Sequence, residues 1–321
     1  MKAFTVSQTG CMDLGSFPQF LQEHFPVQFL PEERCMEADF LFCDTFNFKH
    51  EKFTGVKILF TGENHPVDLN NFDYCLTHDK RENDRCMYFP YWLFGTLFYP
   101  MRRAALTAPR PLLTADELRA QQRDFCAFVV RNAACRKRNR FAAALLKRKH
   151  VNCGGPYMNN IGRCVDDKVG FFSRHLFGIS FENESSPGYL TEKVVDAFVA
   201  RCIPIYWGDP TIADTFDPAA MVQASSFRSD QELIDHVVEL SEDYGRMAEM
   251  LNRAPLLNPQ LLEQEEQRLL DFLGRIFEGG GSATRRTRWQ RVNAVLSRFY
   301  GHGFFRTYRR ISRKLRGKGQ A

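Results

Sequence analysis

The densest group of residues able to do chemistry lies between positions 177 and 210. An apolar run at 176–181 ends in Glu182 and Asn183, and a Ser-Pro-Gly turn follows at 186–188. Ligands of open α/β sheets sit beyond the carboxyl ends of the strands. A carboxylate and an amide directly after a buried strand are therefore candidates for a binding site.

A helix is predicted to begin just after this turn and to span 192–201. Thr191 can cap it, and Glu192 and Lys193 fall in its first turn. The free N–H groups of a helix N-terminus, together with a lysine, suit a diphosphate. The segment therefore predicts a site for a phosphate-bearing ligand. The alternative is a generic strand–helix unit with a solvated Glu192–Lys193 pair.

The elements that must position these groups form two predicted α/β units. Apolar runs in the first unit indicate buried strands at 3–6, 38–43, 56–60 and 72–76. In the second, strands are predicted at 125–130, 176–181 and 203–206, and helices at 136–149, 167–175 and 192–201. The proline-rich stretch 100–118 suits a linker. Apolar residues spaced three and four apart from 230 to 277 predict amphipathic helices that close the second unit or bridge the two.

The composition excludes several classes of protein. With 321 residues, 44% hydrophobic and 25% charged, the chain is typical of a globular protein rather than a disordered or fibrous one. We find no apolar run long enough to span a bilayer and no secretory signal, so we expect neither. The ten cysteines form no Cys-x-x-Cys pair and the eight histidines no ligand cluster. Reduced thiols in a cytoplasm are therefore expected.

The positive charge is concentrated at the end of the chain. Residues 285–321 hold twelve Lys or Arg and no Asp or Glu, which leaves 31 basic and 38 acidic residues before them. The high isoelectric point therefore does not indicate a nucleic-acid footprint of the whole protein. Basic amphipathic stretches such as this one lie on anionic membrane surfaces. Nonspecific RNA adhesion and a disordered tail are the alternatives.

Several motifs, taken in order, resemble the signature of the α-1,3-fucosyltransferases of glycosyltransferase family 10, most of all its short bacterial members. The motifs are Thr61-Gly62-Glu63-Asn64, Arg138-Asn139, Phe181-Glu182-Asn183, Tyr189-Leu190-Thr191-Glu192-Lys193 and Pro204-Ile205-Tyr206-Trp207-Gly208. The resemblance covers about residues 55–220. It implies an α/β protein of GT-B architecture, in which two Rossmann-like domains face each other across a cleft and helices follow at the C-terminal end.

We therefore expect three parts. Residues 1–115 form an acceptor-binding domain, residues 116–278 a GDP-fucose-binding domain with closing helices, and residues 279–321 a basic amphipathic tail. The sequence contains no Asp-x-Asp, which argues against a metal-chelating nucleotide-sugar fold. No cofactor is expected to be required, no residue is assigned as a metal ligand, and a divalent metal would at most stimulate.

The resemblance implies inverting transfer of L-fucose from GDP-β-L-fucose to the 3-hydroxyl of N-acetylglucosamine. The expected acceptors are N-acetyllactosamine-type ends of lipopolysaccharide or another surface glycan. The expected location is cytoplasmic and peripheral on the inner membrane, held by residues 285–321, with no nucleic acid as partner. Two alternatives stay open: a GT-B enzyme that uses another nucleotide sugar, and a basic nucleic-acid-binding protein.

The chemistry of such a transfer assigns roles to particular residues. A carboxylate must accept the proton of the attacking hydroxyl, and Glu63 falls at the matching position of the family's base. Glu182 is the competing carboxylate. Cations must stabilise the departing diphosphate, and the candidates are Arg138 and Lys193.

The remaining contacts to the donor are also implied by the resemblance. Asn183, Tyr189 and Glu192 are expected to bind the nucleotide or the fucose, as is Glu182 if it is not the base. Hydrogen bonding to the loop or to the acceptor is the alternative role of Glu182. Simple packing over the helix start is the alternative role of Tyr189. Near the end of the first unit, three aromatic residues are candidates to line an acceptor groove: Tyr91, Trp92 and Phe94.

Overall fold

In the computed structural model, the described residues are 4–279 without 11–12, 45–47, 66 and 68. The first part of the chain forms a parallel sheet from β1 (Phe4–Thr9), β2 (Val27–Phe29), β3 (Phe40–Cys43), β4 (Val56–Phe60), β5 (Tyr74–Thr77) and β6 (Cys86–Tyr88). The strand order is β2-β1-β3-β4-β5-β6. Its helices are α1 (Phe17–His24), α2 (Tyr91–Leu97) and α3 (Pro100–Thr107). We call this part the first lobe.

A second parallel sheet follows, from β7 (Asp124–Phe128), β8 (Val151–Cys153), β9 (His175–Phe181), β10 (Ile203–Trp207) and β11 (Val222–Gln223). Its strand order is β11-β10-β9-β7-β8. The accompanying helices are α4 (Ala115–Ala120), α5 (Arg136–Arg148), α6 (Lys168–Phe172), α7 (Glu192–Val199), α8 (Asp230–Leu240), α9 (Tyr244–Asn252) and α10 (Leu261–Glu278). Short 3₁₀ helices cover Glu32–Glu37, Phe48–Glu51, Ile212–Asp214, Pro218–Ala220 and Ala224–Ser226. We call the part from α4 to α9 the second lobe.

The strands that lead into the candidate site are buried along their whole length. Every residue of β4 and of β9 is buried, as expected for parallel strands covered on both faces. Phe181, the last residue of β9, stacks on Phe141 of α5 with ring centroids 4.7 Å apart. This packing fixes the end of β9, where the polar residues of the site begin.

Two helices join the lobes. In α7, Val194, Val195 and Phe198 belong to the same buried cluster as residues of the first lobe. At the end of α10, the Phe277 ring lies 4.9 Å from that of Phe40 and 5.0 Å from that of Phe25. α10 follows the second sheet in sequence but packs on the first, so it bridges the lobes in one of the two ways expected for the C-terminal helices.

The stretch 100–118, expected to be a linker, is mostly helical. Pro100 is the first residue of α3, where a proline costs no hydrogen bond. α4 begins with a capping box, in which Thr114 and Glu117 exchange side-chain-to-backbone hydrogen bonds. Only the segment 108–114 connects the two helices without secondary structure.

The helix predicted at 167–175 is shorter than expected. It covers Lys168–Phe172, and β9 already begins at His175.

Other predictions concern composition and the end of the chain. All nine cysteines in the described part of the chain are free. In that same part, none of the helices has both the length and the apolar character that crossing a membrane requires. The predicted basic tail, residues 279–321, lies outside the described residues except for Gly279.

Candidate active site

A cavity of about 250 Å³ lies between the two lobes. The first lobe contributes Asp44, Thr61, Gly62, Glu63 and Tyr91, and the second contributes Asn183, Tyr189, Thr191, Glu192 and Lys193. Five predicted site residues therefore line one space, namely Glu63, Asn183, Tyr189, Glu192 and Lys193. The predicted base and the predicted phosphate-binding lysine come from opposite lobes.

The loop after β4 holds Glu63 at the cavity. The Glu63 N–H donates to the Thr61 hydroxyl at 3.1 Å, which tightens the loop directly after the strand. Gly62 lies against the ring of Tyr91, and a Cβ at position 62 would come within 3.0 Å of Tyr91 Cγ. The small residue lets the loop pass close to the ring. The side chain of Glu63 is left exposed.

The charges around Glu63 favour its role as a proton acceptor. The surrounding protein removes part of the solvent of its carboxyl and raises its pKa above the ordinary value. Lys193 opposes this shift, whereas the nearby carboxylates Glu192, Glu182 and Glu184 add to it. A carboxylate with a raised pKa is a stronger base, which suits general base catalysis near neutral pH.

Lys193 is held by carboxylates on its own lobe. Its ammonium donates to Glu182 Oε2 at 3.0 Å and to the Thr191 hydroxyl at 2.8 Å, and it lies 3.8 Å from Glu192 Oε1. Burial alone would lower the pKa of Lys193, but Glu182 and Glu192 outweigh it and raise that pKa. Lys193 therefore carries a positive charge at the wall of the cavity.

Glu192 stays ionised for a similar reason. Burial alone would raise the pKa of its carboxyl, but three cations outweigh the burial and hold that pKa well below the ordinary range: Lys193, Lys168 and Arg102. An ionised carboxylate accepts hydrogen bonds strongly from hydroxyl groups. The cavity therefore has an acceptor for sugar hydroxyls next to its cation.

Glu182 and Arg138 lie behind the cavity wall, contrary to the expectation that they contact the donor directly. Glu182 is fully buried and Arg138 is 1% exposed. The Arg138 guanidinium donates to Asn183 Oδ1 at 2.7 Å and to the backbone carbonyl of Asn132 at 2.6 Å. Since Asn183 lines the cavity, Arg138 serves the site in this structure by orienting the Asn183 amide.

Thr191 stands at the N-cap of α7 but makes no side-chain capping hydrogen bond. Its hydroxyl donates to the carboxylate of Glu182 instead, at 2.7 Å from Oε2. Its backbone N–H donates to the same carboxylate, to Oε1 at 2.8 Å. The start of α7 is thus tied to the end of β9, and the Thr191 side chain does not cap the helix.

The aromatic residues near the cavity differ from expectation in part. Trp92 and Phe94 point into the core on α2, with exposures of 2% and 1%, so they do not line an acceptor groove. Tyr91 does line the cavity, and burial raises the pKa of its phenol to about 12. Tyr189 lines the cavity and also packs edge-on against His78, with ring centroids 5.4 Å apart.

Two features of the site were not predicted from the sequence, namely Asp44 and a hydrogen bond between the loops. Asp44 follows the buried strand β3 just as the loop of Glu63 follows β4, and it is 5% exposed at the cavity. An acidic residue directly after an apolar run was the signal that would have found it. Across the cleft, the Asn64 amide donates to Glu184 Oε2 at 2.8 Å and ties the two loops together.

Comparison with known proteins agrees with this geometry. Residues 118–269 match the family model of the glycosyltransferase family 10 (fucosyltransferase) C-terminal domain. Residues 13–95 match that of the α-(1,3)-fucosyltransferase FucT N-terminal domain. The first matched region contains Lys193 and the second contains Glu63.

Similar proteins include the α-(1,3)-fucosyltransferase FucT of Helicobacter pylori, which is 32% identical over 225 residues, or 62% of this chain and 47% of that protein. A putative fucosyltransferase of Acanthamoeba polyphaga mimivirus is 24% identical over 247 residues, or 73% of this chain and 39% of that protein. The chain thus spans less than half the length of these two curated relatives.

The structural likeness concerns the fold. A crystal structure of an α1,3-fucosyltransferase with GDP-fucose is similar with a TM-score of 0.65 and 24% identity, covering 84% of this chain and 90% of that one. A second crystal structure of an α1,3-fucosyltransferase has a TM-score of 0.67. The two facing parallel-sheet lobes confirm the predicted GT-B architecture. With both lobes matched by its models, the chain belongs to glycosyltransferase family 10, the fucosyltransferase family.

Proposed function

We propose that this protein transfers L-fucose from GDP-β-L-fucose, with inversion, to the 3-hydroxyl of N-acetylglucosamine in N-acetyllactosamine-type glycans. The observation that carries this proposal is that Glu63 and Lys193 face one cavity from opposite lobes. Family membership supports fucose as the sugar. Lipopolysaccharide or another surface glycan is the proposed acceptor.

The attacking side belongs to the first lobe. The acceptor oxygen forms a bond to the anomeric carbon of fucose while the bond from that carbon to the GDP oxygen breaks on the opposite face. The proton of the acceptor hydroxyl passes to the Glu63 carboxylate, which the structure leaves exposed at the cavity with a raised pKa. Asp44, on the same wall, offers a second carboxylate that can bind acceptor hydroxyls.

The leaving side belongs to the second lobe. GDP gains negative charge as the bond breaks, and the Lys193 ammonium is the group on the wall that stabilises this charge. Glu192 and Asn183 bind hydroxyls of the donor, and Arg138 fixes the Asn183 amide from behind. We propose that this cation does the work of a metal, so that no divalent ion is required.

A fucose-transfer assay with GDP-fucose and an N-acetyllactosamine acceptor tests the proposal. Glu63→Gln removes the base but keeps the shape, so kcat is expected to fall by about 10²–10⁴-fold while GDP still binds. Lys193→Ala is expected to reduce kcat by about 10²–10³-fold, as for loss of one charge-stabilising donor. Asp235→Asn, which removes an exposed surface ion pair with Arg148, is the matched control and keeps wild-type activity.

Three outcomes would contradict the proposal. Turnover with GDP-mannose or UDP-sugars but not with GDP-fucose would favour another donor. Unchanged turnover in Glu63→Gln would remove Glu63 as the base. Loss of activity in EDTA that Mg²⁺ or Mn²⁺ restores would mean that the enzyme needs a metal.

A further inference from the structure

The carboxylate of Glu182 lies at the end of β9, beside the cavity but closed off from it. It is 0% exposed, and it accepts hydrogen bonds from the Thr191 N–H at 2.8 Å, from the Thr191 hydroxyl at 2.7 Å and from the Lys193 ammonium at 3.0 Å. Burying a carboxylate is costly unless such partners compensate. Three contacts to one segment mean that Glu182 fixes the start of α7.

We propose that Glu182 is a positioning residue for fucosyl transfer, which acts through Lys193 by holding its ammonium at the cavity wall. The Thr191 hydroxyl completes the arrangement, because it accepts from Lys193 at 2.8 Å and donates to Glu182. Glu182 itself touches neither donor nor acceptor. This inference rests on the proposed function of the cleft.

Gly208 provides the space that Glu182 needs. A Cβ at position 208 would lie 2.4 Å from Glu182 Cγ, 2.6 Å from the Tyr206 hydroxyl and 2.9 Å from Glu182 Cβ, closer than non-bonded atoms can approach. The Glu182 N–H also donates to the carbonyl of Trp207 at 2.7 Å, so the two segments are fixed side by side. The glycine after β10 therefore leaves room for the stem of Glu182, and three separate motifs meet at one carboxylate.

Charge also connects Glu182 to the behaviour of Lys193. The titratable groups that act on Lys193 are Glu182 after β9, Glu192 on α7, Tyr189 in the loop before α7 and Glu63 across the cleft. Without the charge of Glu182, burial would weigh more heavily against the ammonium. Lys193 would then lose its proton at a lower pH, although Glu192 would still stabilise it in part.

The test is Glu182→Gln, which keeps the shape of the side chain and removes its charge. We expect kcat/KM for GDP-fucose to fall by about tenfold or more at neutral pH, mostly through kcat, because Lys193 stabilises charge that develops as the bond breaks. We also expect the kcat/KM of Glu182→Gln to decline on the alkaline side at a lower pH than that of the wild type. In calorimetric titrations with GDP alone, the affinity of Glu182→Gln for GDP should also decline at lower alkaline pH than that of the wild type.

Further variants separate positioning from folding. Thr191→Val breaks the hydroxyl link between Glu182 and Lys193 and should lower kcat, whereas Thr191→Ser keeps it and should restore kcat. Gly208→Ala should displace the stem of Glu182 and reproduce the effect of Glu182→Gln. Asp217→Asn is the matched control, since Asp217 pairs with Arg253 at the same 3.0 Å but lies outside the cavity, and it should keep the wild-type pH profile.

A wild-type pH profile in Glu182→Gln would overturn the inference. So would a loss of activity that is equal at all pH values and is matched by a lower Tm, since that pattern indicates a purely structural role. If the wild-type protein does not transfer fucose at all, the proposed function fails. The dependence of GDP binding on pH then still tests whether Glu182 controls Lys193.

Discussion

At the scale of single residues, Glu63 and its neighbours determine the pH dependence. Glu63 accepts a proton only when ionised, and its pKa is raised by lost solvent and by nearby carboxylates, among them Glu184. Activity should therefore decline on the acidic side as pH falls through this raised pKa, which lies above the ordinary value for a glutamate.

The variant Glu184→Gln tests whether the raised pKa of Glu63 causes this decline in activity at acidic pH. Gln keeps an oxygen for the Asn64 amide but removes a negative charge, so the pKa of Glu63 should fall and the acidic limb of kcat/KM should move to lower pH. The measurement is the pH profile of fucose transfer, with Asp235→Asn as control. A limb that moves to higher pH would contradict the assignment.

Asp44 gives a second prediction at this scale. It lines the first-lobe wall, where the acceptor is proposed to enter, and an ionised carboxylate binds sugar hydroxyls better than an amide does. Asp44→Asn should raise the KM for the acceptor by about tenfold, the cost of one weakened charged hydrogen bond, and leave the KM for GDP-fucose unchanged. Initial-rate kinetics with each substrate varied in turn measure this. A change confined to the KM for GDP-fucose would mean that Asp44 contacts the donor and not the acceptor.

At the scale of elements, α7 carries the site on one side and holds the lobes together on the other. Within it, Asp196 is buried and pairs with Arg102 of α3 at 2.8 Å and with Lys168 at 2.9 Å. Arg102 belongs to the first lobe, so this ion pair joins the lobes next to the cavity.

Removing that ion pair should weaken the protein measurably. In Arg102→Ala, the buried Asp196 keeps Lys168 but loses one of its two cationic partners, so the free energy of unfolding should fall by about 1–3 kcal/mol. Arg148→Ala breaks an exposed ion pair with Asp235 and should change it by less than about 1 kcal/mol. Urea unfolding followed by fluorescence gives both values. Equal losses of unfolding free energy in the two variants would mean that the ion pair of Asp196 contributes no more to stability than an exposed one.

The elements also show what the sequence could and could not predict. The apolar runs of β4 and β9 were recognisable, because buried parallel strands leave an uninterrupted hydrophobic signal. α3 was not, because a proline-rich composition indicates a linker even where Pro100 occupies a position that tolerates it.

The candidate site, like the fold, was predictable from the sequence only in part. Residues that follow strands or begin a helix, such as Glu63 and Lys193, were found by position alone. The burial of Glu182 was not, because its partner Thr191 is nine residues away and the contact depends on how α7 packs. The tertiary packing that decides whether a carboxylate faces ligand or protein leaves no local signal.

At the scale of the whole molecule, binding of the basic segment 285–321 to a membrane remains a prediction from the sequence. Twelve cations without acidic residues should bind anionic lipid, with each one near the surface adding about 1 kcal/mol. We propose that this segment holds the enzyme at the cytoplasmic face of the inner membrane. The protein that contains residues 285–321 should float with anionic vesicles, and a variant ending at residue 281 should not. Neutral vesicles and added salt are the controls, and equal flotation of both proteins would exclude the segment as the anchor.

The position of α10 has a consequence for the order of folding. Phe25 and Phe40 of the first lobe are covered by Phe277, which the ribosome adds only after the whole second lobe has been made. At roughly 5–20 residues per second, the first sheet waits on the order of ten seconds or more with this apolar face uncovered. We therefore expect the nascent first lobe to bind chaperones during biosynthesis until the last helix emerges and covers this face.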